Sequence, residues 1–149
     1  MKKLLLNFAC IALTACLALA AEPKIEDIPA KKLPDLALRQ ITSYFPDAEI
    51  VTAAKEGKMT RHYYATLNDG TALEFDKDGT WLLVDNPVTG VPQRMVNPLI
   101  NSYLSKNIPD AKVMKMSKDK DRNVDITLDD GTIVRFDYHN KYLSTESPE

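Results

Sequence analysis

LNDGTALEFD, at residues 67–76, is repeated 61 positions later as LDDGTIVRFD, at residues 128–137. A second pair of matched segments lies upstream, FPDAEI at residues 45–50 and IPDAKV at residues 108–113, with an offset of 63. Both pairs retain their apolar positions and their turn residues, as expected of a duplicated structural unit. The sequence therefore predicts two copies of one fold, and any function should depend on the positions at which the copies differ.

Each copy is predicted to begin with a short amphipathic helix. In the first copy, Leu-Pro-Asp at residues 33–35 is typical of a helix start with proline at the first helical position, and apolar residues follow at helical spacing. In the second copy, Asn97 is a natural N-cap before Pro98. Pro46 and Pro109 should end the two helices at matching positions, because proline cannot continue the hydrogen-bond ladder.

After each helix the apolar period changes from that of a helix to that of a strand. In residues 63–67 and 124–128 apolar residues alternate with more polar ones, which predicts a half-buried strand in each copy. Asn-Asp-Gly at 68–70 and Asp-Asp-Gly at 129–131 predict hairpin turns that lead into the next strand. With a strand just after each Pro-Asp-Ala and another at the end of each copy, the unit should be one helix followed by four antiparallel strands.

We predict an α+β fold in which the two units pair edge to edge. Four strands and one helix give only a thin core for about 60 residues. Edge-to-edge pairing gives one sheet of about eight strands, hides two free edges and places both helices on one face. In this division residues 22–85 form the first unit, residues 86–90 the linker and residues 91–149 the second unit.

Residues 1–21 are expected to be an export signal. Lys2 and Lys3 precede an apolar stretch, and small residues offer a cleavage site near Ala20. The stretch is too short for a confident membrane span. The residues before Cys16 also resemble a bacterial lipoprotein motif, in which this cysteine would carry a lipid anchor. The mature chain is thus expected to be periplasmic or secreted, with an envelope-anchored lipoprotein as the alternative.

The composition of the mature chain excludes several classes of function. Both cysteines, Cys10 and Cys16, lie in the signal, so cleavage near Ala20 removes disulfides, thiol catalysis and cysteine metal sites. Loss of Lys2 and Lys3 leaves 17 of the 19 basic residues against 21 acidic ones, a net charge of −4. This sign argues against nucleic acid or an anionic membrane as the main partner.

The order of the motifs resembles the PepSY-like domains of exported bacterial proteins, whose fold is similar to the beta-lactamase inhibitory protein. The resemblance is carried by an apolar residue before Pro-x-Ala, then hydrophobic-x-Asp-Gly-Thr, hydrophobic-x-Phe-Asp and Asp-Gly-x-Trp, and it covers essentially the whole mature chain. The second copy departs at residues 138–142, where the Asp-Gly-x-Trp ending is lost. The resemblance implies a non-catalytic exported module with a protein-binding or peptidase-inhibitory role.

We expect no catalytic residues, no metal site, no cofactor and no enzymatic activity. The acids from Asp119 to Asp130 superficially fit a calcium loop, but Val124 stands where glycine is required and belongs to a predicted strand. His62 and His139 occupy non-equivalent positions in the two copies and lack the spacing of a nucleophile or metal site. A hydrolase that uses a pair of carboxylates is the least favoured alternative.

Six residues are candidates for binding a partner protein, because they are aromatic or polar and lie on predicted strands: His62, Tyr64, Glu74, Trp81, Arg135 and Tyr142. His62 and Tyr64 should share the strand face that points away from the helix. Periodicity does not assign a face to Trp81 or Tyr142, because apolar residues also follow them. Aromatic side chains are enriched in binding surfaces, which is why both are included.

The two copies differ at the predicted outward positions. Tyr64 in the first copy matches Asp125 in the second, and Glu74 matches Arg135. A duplicated scaffold has therefore acquired a surface that is not duplicated. We predict that this open sheet face binds another envelope or secreted protein. The alternative is a small-ligand or ion-sensing module, for which a concave pocket with converging polar groups would be diagnostic.

Overall fold

The computed structural model describes residues 24–57 and 62–148 of the chain. The predicted signal at residues 1–21, including Cys16 and its possible lipid anchor, lies outside the described residues. Within the described part, the protein has two α-helices and one antiparallel sheet of nine strands. The predicted α+β class is confirmed.

The order of the strands in the sheet is their order along the chain, so each strand pairs with the next one. The strands are β1 (Ile25–Asp27), β2 (Ile50–Glu56), β3 (His62–Leu67), β4 (Ala72–Phe75), β5 (Trp81–Asp85), β6 (Val113–Lys118), β7 (Val124–Leu128), β8 (Ile133–Phe136) and β9 (Tyr142–Glu146). The helices are α1 (Asp35–Tyr44) and α2 (Pro98–Asn107), each preceded by a short 3-10 helix, Ala30–Lys32 and Gln93–Met95.

Both α-helices begin and end close to the predicted residues. Asn97 caps α2, because its side-chain oxygen accepts a hydrogen bond of 2.9 Å from the backbone N–H of Leu99. In the first helix Pro34 lies at the N-cap rather than at the first helical position, one residue from the prediction. Each helix ends two residues before a proline, Pro46 or Pro109, as the loss of a backbone donor requires.

The sheet contains one strand more than the predicted number of about eight. The additional strand is β1, which pairs antiparallel with β2 through Ile25 opposite Glu56 and Asp27 opposite Ala54. Its pairing satisfies backbone groups of β2 that would otherwise lie at a free edge. At the centre of the sheet β5 pairs with β6, with Leu83 opposite Ser117.

One hydrophobic core lies between the helices and one face of the sheet. Buried residues of α1 and α2, such as Ile41 and Ile100, belong to the same cluster as the inward residues of the strands, such as Phe75, Val84 and Phe136. Both helices therefore cover the same face, which we call the helix side. In the described residues neither helix covers the opposite face, which we call the open face.

The β4–β5 and β8–β9 turns have the same geometry although the second lacks glycine. Asp76 Oδ1 accepts two backbone hydrogen bonds within its turn, at 3.0 and 2.8 Å, and Asp137 Oδ1 accepts two at 2.9 Å. Gly79 has φ +87°, and Asn140 takes the corresponding place with φ +64°. Asparagine tolerates this left-handed conformation better than most residues, so the turn survives the departure from the motif.

Candidate binding face of the sheet

The open face presents one continuous row of side chains, because directly paired residues on neighbouring strands point to the same side. From β2 to β9 this row consists of Ala54, Tyr64, Glu74, Leu83, Ser117, Asp125, Arg135 and Ser144. Four of the six predicted residues, His62, Tyr64, Glu74 and Arg135, lie on this face. Tyr64 and Arg135 are five strands apart, roughly 24 Å at the usual strand spacing.

The half of the open face on β2–β4 carries a connected group of four polar side chains, which we call the Glu56 cluster: Glu56, His62, Tyr64 and Glu74. The Tyr64 hydroxyl donates a hydrogen bond of 2.6 Å to Glu56 Oε2. His62 Nδ1 lies 2.9 Å from Glu74 Oε1 and 3.5 Å from Glu56 Oε2. Two carboxylates therefore converge on one tyrosine and one histidine.

The Glu56 cluster keeps the Tyr64 phenol protonated. Burial raises its pKa well above the usual value of 10.0, and the hydrogen bond to Glu56 and the negative charges of Glu74 and Glu56 raise it further. The fixed hydroxyl also holds the ring, so an aromatic surface is oriented on the face before any partner arrives.

At the corresponding place on β7 and β8 the open face carries an ion pair instead. Arg135 binds the Asp125 carboxylate with two hydrogen bonds, from Nε to Oδ1 at 2.7 Å and from the terminal nitrogen to Oδ2 at 2.8 Å. Hydrogen bonding to Asp125 and the charge of this carboxylate raise the pKa of Arg135 above its usual value. This half of the face is therefore locally neutral, whereas the Glu56 cluster is acidic.

Trp81 and Tyr142 do not lie on the open face. Trp81 pairs with Phe75, and Tyr142 pairs with Phe136, so both point to the helix side. A β-bulge beside each of these pairs adds one residue to the strand, between Trp81 and Leu83 and between Tyr142 and Ser144, so simple alternation does not assign their faces. The Tyr142 ring stacks on Tyr103 of α2 with a centroid distance of 4.8 Å. The face of these two aromatics, which periodicity left open, is therefore the helix side.

Three contributors to the open face are absent from the six predicted residues, although Asp125 was predicted to point outward. Glu56 accepts the hydrogen bond from Tyr64, Leu83 lies at the centre of the row, and Asp125 binds Arg135. A shallow groove on this face is lined by His62, Glu74 and Leu83 together with residues of β6. The position of Glu56 could have been predicted, because a hairpin of β2 and β3 places this residue beside His62.

The stretch from Asp119 to Asp130 contains the β6–β7 turn and strand β7, and its apolar alternation predicts this strand. Asp119 Oδ1 accepts hydrogen bonds from the backbone N–H of Asp121 at 2.8 Å and of Asn123 at 2.9 Å. Asp119 therefore stabilises a turn in the same way as Asp76 and Asp137, by accepting hydrogen bonds from the backbone N–H groups two and four residues later. In residues 24–57 and 62–148, no three His, Cys, Asp or Glu side chains are grouped so that they could hold a metal ion.

A family model for PepSY-like domains, described as "Putative beta-lactamase-inhibitor-like, PepSY-like", matches residues 61–143. The chain belongs to the PepSY-like family. No curated protein matches the chain. In the part of the chain that the structure describes, no helix has the length and apolar character needed to cross a membrane.

Solved structures of several Bacteroides proteins are similar to this PepSY-like protein. A "putative calcium-regulated periplasmic protein" from Bacteroides thetaiotaomicron is 30% identical, with a TM-score of 0.77, and the match covers 83% of this chain and 97% of that one. A "putative periplasmic protein" of the DUF2874 family from Bacteroides vulgatus is 29% identical, with a TM-score of 0.78 and coverage of 86% and 99%. The family and these neighbours indicate a non-catalytic periplasmic module.

Proposed function

We propose that this PepSY-like protein is an exported binding module, built from two tandem units, whose open face binds another envelope or secreted protein. The observation that carries the proposal is the continuous row of side chains on the open face, which combines an oriented aromatic ring, an acidic cluster and an ion pair. Within the described residues, neither helix covers this row. A peptidase-inhibitory role is the narrower form of the proposal; the family itself is described as beta-lactamase-inhibitor-like.

The charges on the face indicate what kind of partner surface would fit. Glu56 and Glu74 place two carboxylates around the single imidazole of His62. Tyr64 and the half-buried Leu83 supply apolar area beside them. A partner should therefore present a lysine or arginine next to an apolar side chain, since complementary charge sets specificity and apolar contact supplies affinity.

Site-specific photo-crosslinking in the native envelope tests this proposal directly. A photo-reactive residue at Thr66, which is exposed on the open face, should give a crosslinked product with a distinct partner. The same residue at Ser43, exposed on α1, is the matched control and should not give that product. A product from Ser43 and none from Thr66 would move the binding surface to the helix side.

Charge reversal then identifies the contribution of the acidic cluster. Glu74→Lys should abolish the Thr66 product, because a lysine would repel the cation expected on the partner. Lys77→Glu, an exposed change in the β4–β5 turn, is the matched control for a change of charge and should leave the product intact. Retention of the product in Glu74→Lys would contradict the proposed role of the Glu56 cluster.

Small-ligand or ion sensing is the second candidate function. One structural neighbour is described as calcium-regulated, and that description belongs to the neighbour alone. In this chain only the small-ligand form of this candidate is supported by a concave groove with converging polar groups; the groove lies on the helix side and is lined by Trp81, Lys118 and Arg122, whose two positive charges do not favour Ca²⁺. Thermal unfolding with and without Ca²⁺ tests the ion-sensing form of this candidate. An unchanged Tm in millimolar Ca²⁺ would rule out calcium sensing.

A further inference from the structure

A groove of about 380 Å³ lies on the helix side of the sheet, where strands of the first and second halves meet. Its lining comes from four separated parts of the chain: the start of β5, the N-terminus of α2, the β6–β7 hairpin and the β8–β9 turn. The residues that define it are Trp81, Ile100, Lys118, Arg122 and Tyr138. We call it the Lys118 groove.

Two cationic side chains converge in the Lys118 groove, and the carboxylate of Asp76 acts on Lys118 from beyond salt-bridge distance. Lys118 and Arg122 both line it, and within residues 24–57 and 62–148 neither forms a salt bridge with a carboxylate. Burial lowers the pKa of Lys118, the charge of Arg122 lowers it further, and Asp76 opposes both effects. A bound anion would relieve the repulsion between the two cations and compensate for the burial of the ammonium group.

Aromatic side chains form the walls beside these cations. The Lys118 ammonium lies 3.8 Å from the centroid of the Trp81 ring, in a cation–π contact that fixes its position. Tyr138 stands at the rim with 63% of its surface exposed. A flat apolar group could therefore stack in the groove while an attached anion reaches the two cations.

The N-terminus of α2 adds positive potential to the same place. Asn97 and Ile100 line the groove, and the first turn of this ten-residue helix contains no acidic residue. The positive end of the helix dipole therefore faces a site that already holds two cations. This arrangement favours a ligand with negative charge over a neutral or cationic one.

We propose that the Lys118 groove binds an organic carboxylate attached to an aromatic or similarly flat apolar group. Arg122 can bind a carboxylate with two parallel hydrogen bonds, Lys118 supplies a second charge, and Trp81 and Tyr138 hold the apolar group. Such a carboxylate occurs in small metabolites and at the C-terminus of a peptide that ends in an aromatic residue. The groove lies on the helix side, so this inference does not depend on protein binding by the open face; it names a ligand class for the small-ligand candidate and rests on that candidate.

Trp81 is the only tryptophan in the chain, so its fluorescence reports on the groove directly. The probes are N-acetyl-phenylalanine, its neutral amide, and a pentapeptide that ends in phenylalanine with a free or an amidated C-terminus. We expect saturable quenching by the free acids and binding about tenfold or more weaker for the amides, as loss of a charged hydrogen bond predicts. The affinity of the acids should fall as salt is added.

Variants assign the binding to the two cations. Lys118→Met and Arg122→Gln should each weaken binding of N-acetyl-phenylalanine about tenfold or more. Lys120→Met removes an exposed lysine from the same hairpin outside the groove and is the matched control, with a change of less than about twofold. Urea midpoints and the Trp81 indole N–H signal in NMR spectra verify that each variant is folded.

The outcomes separate cleanly. If the pentapeptide acid binds about tenfold more tightly than N-acetyl-phenylalanine, the natural ligand class is a peptide C-terminus, and equal affinities favour a small carboxylate. Equal binding of acids and amides overturns the proposal. An effect of Lys120→Met as large as that of Lys118→Met, or no saturable quenching by any acid at millimolar concentrations, overturns it as well.

Discussion

Replacement of Asn86 by alanine should destabilise the protein strongly, although the residue lies in the segment predicted to be a linker. Asn86 is 1% exposed. Its side-chain nitrogen donates to the hydroxyl oxygens of Thr71 at 2.9 Å and of Thr89 at 3.0 Å. Its oxygen accepts from the backbone N–H groups of Val88 at 3.2 Å and of Thr89 at 2.9 Å. Asn86 thus anchors the connection after β5 to the β3–β4 turn.

The expected loss follows from these four hydrogen bonds. Each contributes about 1 kcal/mol net to the free energy of unfolding, so their sum is roughly 4 kcal/mol. Val88 and Thr89 are exposed, so water can replace part of what their backbone groups lose. Thr71 is fully buried, so its hydroxyl loses its partner without replacement by water. We therefore expect Asn86→Ala to lower the free energy of unfolding by about 3 kcal/mol, or Tm by roughly 10 °C.

Urea unfolding followed by Trp81 fluorescence measures this loss, with stability obtained by linear extrapolation. Asn107→Ala is the matched control: this exposed asparagine makes one hydrogen bond, of 2.9 Å, to the carbonyl of Tyr103 in α2. Its effect should stay within about 0.5 kcal/mol. A loss below about 1 kcal/mol for Asn86→Ala, with an unchanged m-value, would refute the reasoning that the buried amide anchors this connection.

Three further predictions concern turns and titrating groups. Gly79→Ala should lower the free energy of unfolding in urea by about 1–3 kcal/mol more than Gly70→Ala. Both glycines have positive φ, but a Cβ at Gly79 would lie 2.8 Å from a backbone nitrogen of α1, whereas the nearest atom to a Cβ at Gly70 is 4.0 Å away. A backbone N–H that donates to Asp130 holds the pKa of this carboxyl below its ordinary 3.8, so the stability it contributes is present above that value and is lost as the pH falls below it. Asp130→Asn should therefore be less stable than wild type at pH 7 and should approach it in acid, and a gap between their urea midpoints that is independent of pH would contradict this. For Tyr64, whose pKa is raised first by burial and then by Glu56, the neutral phenol is favoured in the fold, so its contribution to stability is lost as the pH rises above 10.0. Glu56→Gln should bring the Tyr64 pKa closer to 10.0 in an ultraviolet titration, and an unchanged titration curve would argue against the hydrogen bond.

The elements of this fold could be predicted because their signals are local. The Asn97 cap, the prolines after both helices and the Asp-Gly turns act over four or five residues, and each has the expected structural consequence. Strand alternation also places His62 and Tyr64 on one face, since period two is a property of the strand itself. These signals were sufficient for the family and for the α+β class.

The sites depend on contacts between residues that are distant in the sequence, and no local pattern specifies those contacts. Bulges between Trp81 and Leu83 and between Tyr142 and Ser144 place these two aromatics on the helix side, which strict alternation does not anticipate. Glu56 acquires its role only when β2 pairs with β3. Sequence by itself determined the elements, the turns and the polar character of the open face. Only the tertiary structure brought Lys118 of β6 over Trp81 of β5, because that contact requires the pairing of two strands that lie on either side of α2.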